Sequence, residues 1–195
     1  MSDEKKLQAL IVPLRSMNLV VPQVLIAEII PFPHVAEVGD LPWFQGMFEW
    51  RERTIALISV DRFCNPDDEG RAVLRSRRVA VLNGIGEADG VSQYGIEISS
   101  IPHPVRLGEN EVKTATGGKP CEMVAEHVRA AGVKAVVPDF AALENRVAQA
   151  LRQLEKAEAE FPQSPNCVCN QARSATPAVS VRRILGPIRS RRMPA

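Results

Sequence analysis

The stretch "PWFQGMFEWRERTIALISVDRF", residues 42–63, is the most informative part of the sequence. Two β-prone runs, 46–50 and 54–60, flank the charged triplet 51–53, which predicts a β-hairpin. A core strand does not need the triplet, and a surface strand does not need so many Trp, Phe and Met side chains. We therefore expect another surface to lie against this hairpin.

The overall composition is that of an ordinary globular protein, with 45% hydrophobic and 24% charged residues in 195. No apolar run reaches the roughly 18 residues of a membrane span, and the N-terminus MSDEKKLQ has no signal-peptide core. These features predict a cytoplasmic protein that does not insert into a membrane.

Charge is divided unevenly along the chain. Residues 161–195 carry six Arg and no acidic residue, so 18 basic and 23 acidic residues remain in 1–160, a net charge of −5. A negative body argues against nucleic-acid binding, because phosphate contacts require clustered cations. The tail 161–195 also holds five Pro and lacks periodicity. It is predicted to be disordered, and 1–160 to be the folded domain.

The four cysteines are Cys64, Cys121, Cys167 and Cys169. Only the last two are close in sequence, and the chain is long for a disulfide scaffold. This irregular spacing predicts reduced thiols.

Short β-prone runs dominate the body, with turn signals between them. They are 7–14, 19–30 (broken at Pro22), 46–50, 54–60, 78–82, 94–101, 123–131 and 133–137. Eight to ten strands without alternating helices predict small barrels or a sandwich.

One amphipathic helix is predicted over 139–158. Its apolar stripe is Phe140, Leu143, Val147, Leu151 and Leu154. Asp139 is the expected N-cap.

Motifs for catalysis, metal or cofactor binding are lacking. His34, His103 and His127 are widely separated, and Gly117–Pro120 lacks the upstream Gly and the Ser/Thr of a phosphate loop. No catalytic residue, metal ligand or cofactor is predicted.

Three segments in this order resemble the CheW-like domain, the adaptor module of bacterial chemotaxis. They are "LQALIVPL" with "NLVVPQVLIAEII", the hairpin segment "LPWFQGMFEWRERTIALISVD", and "VVPDFAALENRV". The resemblance covers roughly residues 7–155.

The resemblance implies a mainly β body of two small five-stranded SH3-like barrels packed side by side, followed by the C-terminal helix. It also implies a non-catalytic adaptor that links the cytoplasmic tip of a methyl-accepting chemoreceptor to the regulatory domain of a CheA-type histidine kinase, at receptor arrays on the inner membrane. By position, Arg51 matches the family's receptor- and array-contacting arginine, and Glu28 its glutamate near that surface.

The remaining expected partner-binding residues come from the same hairpin. They are Trp43, Met47, Phe48, Trp50, Arg53, Ile55 and Leu57. Large apolar side chains bring contact area at small entropic cost, and arginines supply a polar rim. For Phe48 and Trp50, strand alternation equally predicts a place in the barrel core.

Glu52 replaces the family's Gly after the signature Arg, and Ala56 its Pro. These departures indicate a divergent branch, such as an accessory adaptor of a pilus-based twitching-motility system. Two other classes remain open: an enzyme with a pocket between the barrels, and a small nucleic-acid-binding barrel.

Overall fold

The chain folds into eleven β-strands and two α-helices within residues 6–38, 41–66, 77–86, 88 and 90–160, the part that this computed structural model describes. The strands are β1 (Leu7–Pro13), β2 (Asn18–Pro22), β3 (Ile26–Pro31), β4 (Phe44–Trp50), β5 (Arg53–Ile58), β6 (Arg78–Asn83), β7 (Gln93–Ile98), β8 (His103–Leu107), β9 (Val112–Thr114), β10 (Val124–Ala130) and β11 (Val133–Pro138). The helices are α1 (Val60–Cys64) and α2 (Phe140–Glu160). The predicted tail, 161–195, lies outside the described residues.

The strands form two sheets. One has six strands in the order β8-β1-β2-β11-β10-β9, and the other has five in the order β3-β6-β7-β5-β4. Neighbours pair antiparallel except β2–β11 and β5–β7, which are parallel. The six-stranded sheet therefore combines the N-terminal hairpin with strands from the end of the body. The five-stranded sheet is built from the segment between them.

Several strands are buried on both faces. On β4, Met47 packs into a central core shared by the two sheets and α2, whereas its neighbour Phe48 packs into a separate core of the five-stranded sheet. On β2, Leu19 and Val20 divide in the same way between the central core and that of the six-stranded sheet. Each fully buried side chain of this size contributes about 1.5–3 kcal/mol. Burial on both faces explains the nearly continuous apolar runs in the sequence.

The run predicted as strand 54–60 ends earlier. β5 stops at Ile58, and Ser59 begins the short helix α1, where its side-chain oxygen accepts a hydrogen bond from the Arg62 amide at 3.5 Å. Ser is a favoured N-cap because its hydroxyl satisfies an amide that has no partner in the first turn. α1 places Cys64 at the boundary between the two sheets.

The predicted C-terminal helix is confirmed. Asp139 accepts a hydrogen bond from the Ala142 amide at 2.9 Å, as an N-cap does. Leu143 and Val147 are buried in the central core, and the other stripe residues pack at its margin. α2 therefore closes the shared core.

α2 is also fixed by a buried carboxylate. Glu144 is fully buried, and its Oε1 accepts a hydrogen bond from the Ile85 amide at 2.6 Å. Burial raises the pKa of the Tyr94 hydroxyl well above its usual value, and the charge of Glu144 adds a smaller contribution in the same direction. Helix α2 is thus tied to the connection between β6 and β7.

Candidate partner-binding site

The β4–β5 hairpin ends in a two-residue turn. Trp50 pairs with Arg53, so the turn consists of Arg51 and Glu52, with φ values of 44° and 62°. A type I′ turn requires positive φ at both central positions, and non-glycine residues pay about 1–2 kcal/mol each for it. Glu52 therefore adopts the conformation that suits Gly. The charged triplet is not the turn as a whole, because Arg53 belongs to β5.

Arg51, Trp50 and Glu28 form one cluster at this tip. A nitrogen of the Arg51 guanidinium lies 3.1 Å from Glu28 Oε2, and the Trp50 indole N–H donates to the same oxygen at 3.0 Å. The guanidinium carbon lies 4.9 Å from the centre of the Trp50 ring. The structure thus brings together the two residues that the family resemblance singled out, with Trp50 between them.

This cluster joins the two edges of the five-stranded sheet. Glu28 is on β3 and Trp50 on β4, and these strands are at opposite ends of the strand order. Contact between their side chains at 3.0 Å means that the sheet curls until its edges meet. The site therefore lies where the curled sheet closes.

The ion pair itself is exposed. The Arg51 side chain is 67% exposed and that of Glu28 40%. Exposed pairs contribute less than about 1 kcal/mol to stability, because water screens the charges. The stability that this pair adds is therefore smaller than the backbone strain of the turn that carries Arg51.

Arg53 lies beside this cluster, and Trp43 does not. Arg53 is exposed and donates to the Gln93 side-chain oxygen at 3.1 Å. Trp43 precedes β4 at its other end, roughly 25 Å from Arg51 by strand rise. Its ring packs edge-on against Phe63 at 5.5 Å. Gln93 was missed by the sequence analysis, since an isolated Gln carries no signal for a site.

Four expected contact residues lie in the cores instead. Met47, Phe48, Ile55 and Leu57 are all buried, at 0–6% exposure. Because β4 and β5 are covered on both faces, these side chains offer no surface to a partner. This corrects the expected role of Met47, Ile55 and Leu57, and it places Phe48 in the core, as strand alternation equally predicted. The material lying against the aromatic stretch is the rest of the protein. We define the hairpin-tip site as Glu28, Trp50, Arg51 and Arg53.

The enzyme alternative requires a pocket, and a cavity of about 400 Å³ lies between the six-stranded sheet and α1. It is lined by the β1–β2 turn, the end of α1, the connection between β9 and β10, and β10 and β11. One histidine, His127, is among the lining residues, and none is a carboxylate. Within the described residues, no group of three or more His, Cys, Asp and Glu is arranged to hold a metal ion. The cavity therefore gives no support to a reaction centre.

Cys64 and Cys121 form a disulfide in the wall of this cavity. Their Cα atoms are 5.3 Å apart, although the residues are separated by 57 positions. This corrects the expectation of reduced thiols for these two cysteines, because the fold joins segments whose proximity their spacing does not reveal. Cys167 and Cys169 lie outside the described residues.

Comparisons with known proteins agree with this architecture. The CheW-like domain model matches residues 8–148. No curated protein matches the sequence. Among solved structures, the chain is similar to the crystal structure of scaffolding protein TtCheW from Thermoanaerobacter tengcongensis, with 10% identity, a TM-score of 0.57, and coverage of 71% of this chain and 88% of that one.

The structural similarity, at 10% identity, concerns the fold. It confirms the predicted class of two SH3-like barrels with a C-terminal helix, although one sheet has six strands. No helix among the described residues is long and apolar enough to cross a membrane. The family match spans well over half of the chain. The protein therefore belongs to the CheW-like domain family, the non-catalytic scaffold adaptors of chemotaxis signalling.

Proposed function

We propose that residues 1–160 act as a cytoplasmic scaffold that couples a chemoreceptor tip to the regulatory domain of a CheA-type histidine kinase. In this proposal the protein is recruited to receptor arrays at the inner membrane. It works by geometry: it holds receptor and kinase in one assembly, so that the conformation of the receptor biases the activity of the kinase.

The observation that carries the proposal is the hairpin-tip site. Arg51 is mostly exposed, yet Glu28 and the Trp50 ring hold it in one orientation. A preorganised arginine loses little side-chain entropy when it binds, and its planar fork suits carboxylates or backbone oxygens of a partner. The hairpin-tip site is therefore the face proposed for receptor contact.

A rigid body is what such a scaffold needs. The central core takes side chains from both sheets and from α2, including Leu19, Met47 and Leu143. Displacing one sheet from the other would expose these buried residues and cost several kcal/mol. In this proposal, a partner that binds one barrel therefore sets the position of the whole body and does not deform that barrel alone.

The departures from the family pattern suggest a specialised partner. Glu52 replaces the turn glycine and Ala56 the strand proline, and the turn keeps its I′ form despite Glu52. We propose that the partner receptor and kinase belong to an accessory system, such as one that controls pilus-based twitching.

The test is a charge reversal at the hairpin tip. Arg51→Glu places two carboxylates side by side and removes the guanidinium, so we expect affinity for a receptor-tip fragment to fall at least tenfold, about 1.4 kcal/mol. Calorimetric titration of the full chain, with the receptor fragment and separately with the kinase regulatory domain, measures it.

Arg106→Glu is the matched control. Arg106 is exposed on β8, in the other sheet, and its reversal changes the net charge by the same amount. Equal receptor affinity in both variants would exclude the hairpin-tip site. Failure of the unaltered chain to bind any chemoreceptor fragment or kinase domain from its own genome would exclude the coupling function.

A further inference from the structure

The connection between β9 and β10, residues 115–121, lies as a strap over β10. The Ala115 amide donates to the His127 carbonyl at 2.8 Å, and His127 Nε2 lies 3.1 Å from the Lys119 carbonyl oxygen. Gly118 is so close to the imidazole ring that an added Cβ would lie 2.2 Å from it. Only a residue without a side chain fits there, so the strap is shaped to lie on His127.

The strap is attached to the other sheet chiefly through Cys121. Its disulfide to Cys64 reaches the end of α1, which follows β5 of the five-stranded sheet. The nearby contact between the Lys119 ammonium and Asn65 Oδ1 is long, at 3.4 Å, and exposed. The strap and α1 are therefore held together by one covalent bond and one weak polar contact.

α1 has separate attachments to the six-stranded sheet. The Asp61 carboxylate accepts hydrogen bonds from the amides of Arg15 and Ser16, at 2.7 and 2.9 Å. These bonds connect α1 to the β1–β2 turn without any part of the strap. Breaking the disulfide would thus free the strap from α1, with its contacts to His127 still formed, and leave α1 in place.

The disulfide is accessible from one side. It lines the open cavity of about 400 Å³, together with Asn65 and Lys119. Cys64 is only 6% exposed, whereas Cys121 is partly exposed. Cys121 is therefore the more approachable of the two residues from the cavity.

We propose that Cys64–Cys121 is a reversible redox site whose substrate is a cellular dithiol, and that its reduction releases the strap from α1. The inference rests on the cytoplasmic location proposed above, because disulfides in that compartment are mostly transient or redox-sensing. It adds control by redox state to a scaffold that is proposed to act through partner binding.

The reaction is thiol–disulfide exchange. One thiolate of the dithiol attacks Cys121 Sγ, a mixed disulfide forms, and the Cys64 thiolate leaves. The second thiol of the reductant then attacks the mixed disulfide and closes its own disulfide, which frees Cys121. Two electrons and two protons pass from the dithiol to the protein, giving two thiols. Oxidised glutathione reverses the change and is itself reduced to two thiols.

The experiment uses the full chain with Cys167→Ser and Cys169→Ser, so that only Cys64 and Cys121 can react. After treatment of the native protein with or without dithiothreitol, iodoacetamide labelling in denaturant should add no group to the oxidised protein and two to the reduced one, and oxidised glutathione should restore the unlabelled state. Hydrogen exchange of the Ala115 amide, which donates to the His127 carbonyl, should rise roughly tenfold on reduction, because a segment without its anchor opens more often. Exchange in 14–18 and 58–65 should not change.

Cys121→Ser in the same background is the control. In this variant the amide hydrogens of the strap should exchange at the rate seen in the reduced parent protein, and dithiothreitol should not change that rate. The proposal is overturned by strap exchange that is the same in both redox forms, by resistance of the disulfide to dithiothreitol in the native protein, or by labelling of both cysteines before reduction. No receptor or kinase takes part, so these results do not depend on the scaffold function.

Discussion

Two hairpins of this protein have the same turn geometry and different turn residues. β4–β5 closes through Arg51 and Glu52, with φ of 44° and 62°, and β10–β11 closes through Ala131 and Gly132, with φ of 48° and 80°. Both are two-residue turns with positive φ at each position. In the second, glycine removes the strain at one of them.

The difference shows where the chain tolerates strain. At the β10–β11 turn, Ala131 is exposed and Arg129 donates to the Gly132 carbonyl at 3.3 Å. At the β4–β5 turn, the strained Arg51 contacts Glu28 on the opposite edge of the sheet and the ring of its neighbour Trp50. Backbone strain persists when surrounding contacts enforce it, and it often marks functional positions. The contrast supports assigning partner contact to the first hairpin.

The largest expected effect comes from transplanting the second turn onto the first. Replacing Arg51 with Ala and Glu52 with Gly gives the Ala-Gly turn of β10–β11, which removes the guanidinium and relieves strain. We expect affinity for a receptor-tip fragment to fall at least tenfold, about 1.4 kcal/mol, while the free energy of unfolding does not decrease. Calorimetry and urea unfolding measure the two quantities. Unchanged affinity would mean that the two hairpins differ in strain alone.

The reverse change tests the glycine. Gly132→Glu places a side chain at φ 80°. We expect the free energy of unfolding to fall by about 1 kcal/mol, because non-glycine residues are disfavoured in this conformation. Ala131→Arg is the control, since position 131 already holds a non-glycine residue at positive φ and should change by a few tenths of a kcal/mol. Similar midpoints in urea for both variants would contradict this account.

The smallest effect is expected from Glu52→Gly alone. Relief of strain at Glu52 exceeds the extra entropy that glycine loses on folding, so the free energy of unfolding should rise by about 0.5 kcal/mol. Arg51 is retained, and receptor affinity should change less than twofold. A lower urea midpoint would show that Glu52 makes a stabilising interaction in its present place.

The sequence analysis predicted the hairpin but misread its apolar side chains. Alternation along a strand assumes one buried face, whereas β4 has Met47 in the central core and Phe48 in the core of the five-stranded sheet. The number of covered faces depends on packing between sheets, which local sequence does not specify. The same reasoning applies to Ile55 and Leu57.

Other features were missed because they are not local. β8 carries Pro104, which argues against a strand, yet it is tolerated because β8 is an edge strand of its sheet. Cys64 and Cys121 meet only through the arrangement of α1 and the strap. Glu28 and Arg51 were singled out through family resemblance alone. Their contact forms because the curled sheet brings its two edges together, and local sequence does not specify that closure.

The order of strands has a consequence for synthesis on the ribosome. Residues 26–98 contain every strand of the five-stranded sheet, which can pair as soon as this segment has emerged. The hairpin β1–β2 is made first, but its neighbour β11 ends at Pro138. At typical elongation rates the hairpin therefore waits for β11 on the order of ten seconds. Over that interval Leu19 and Val20 have no covering strand. The nascent β1–β2 hairpin therefore exposes apolar side chains to other molecules until β11 has been synthesised.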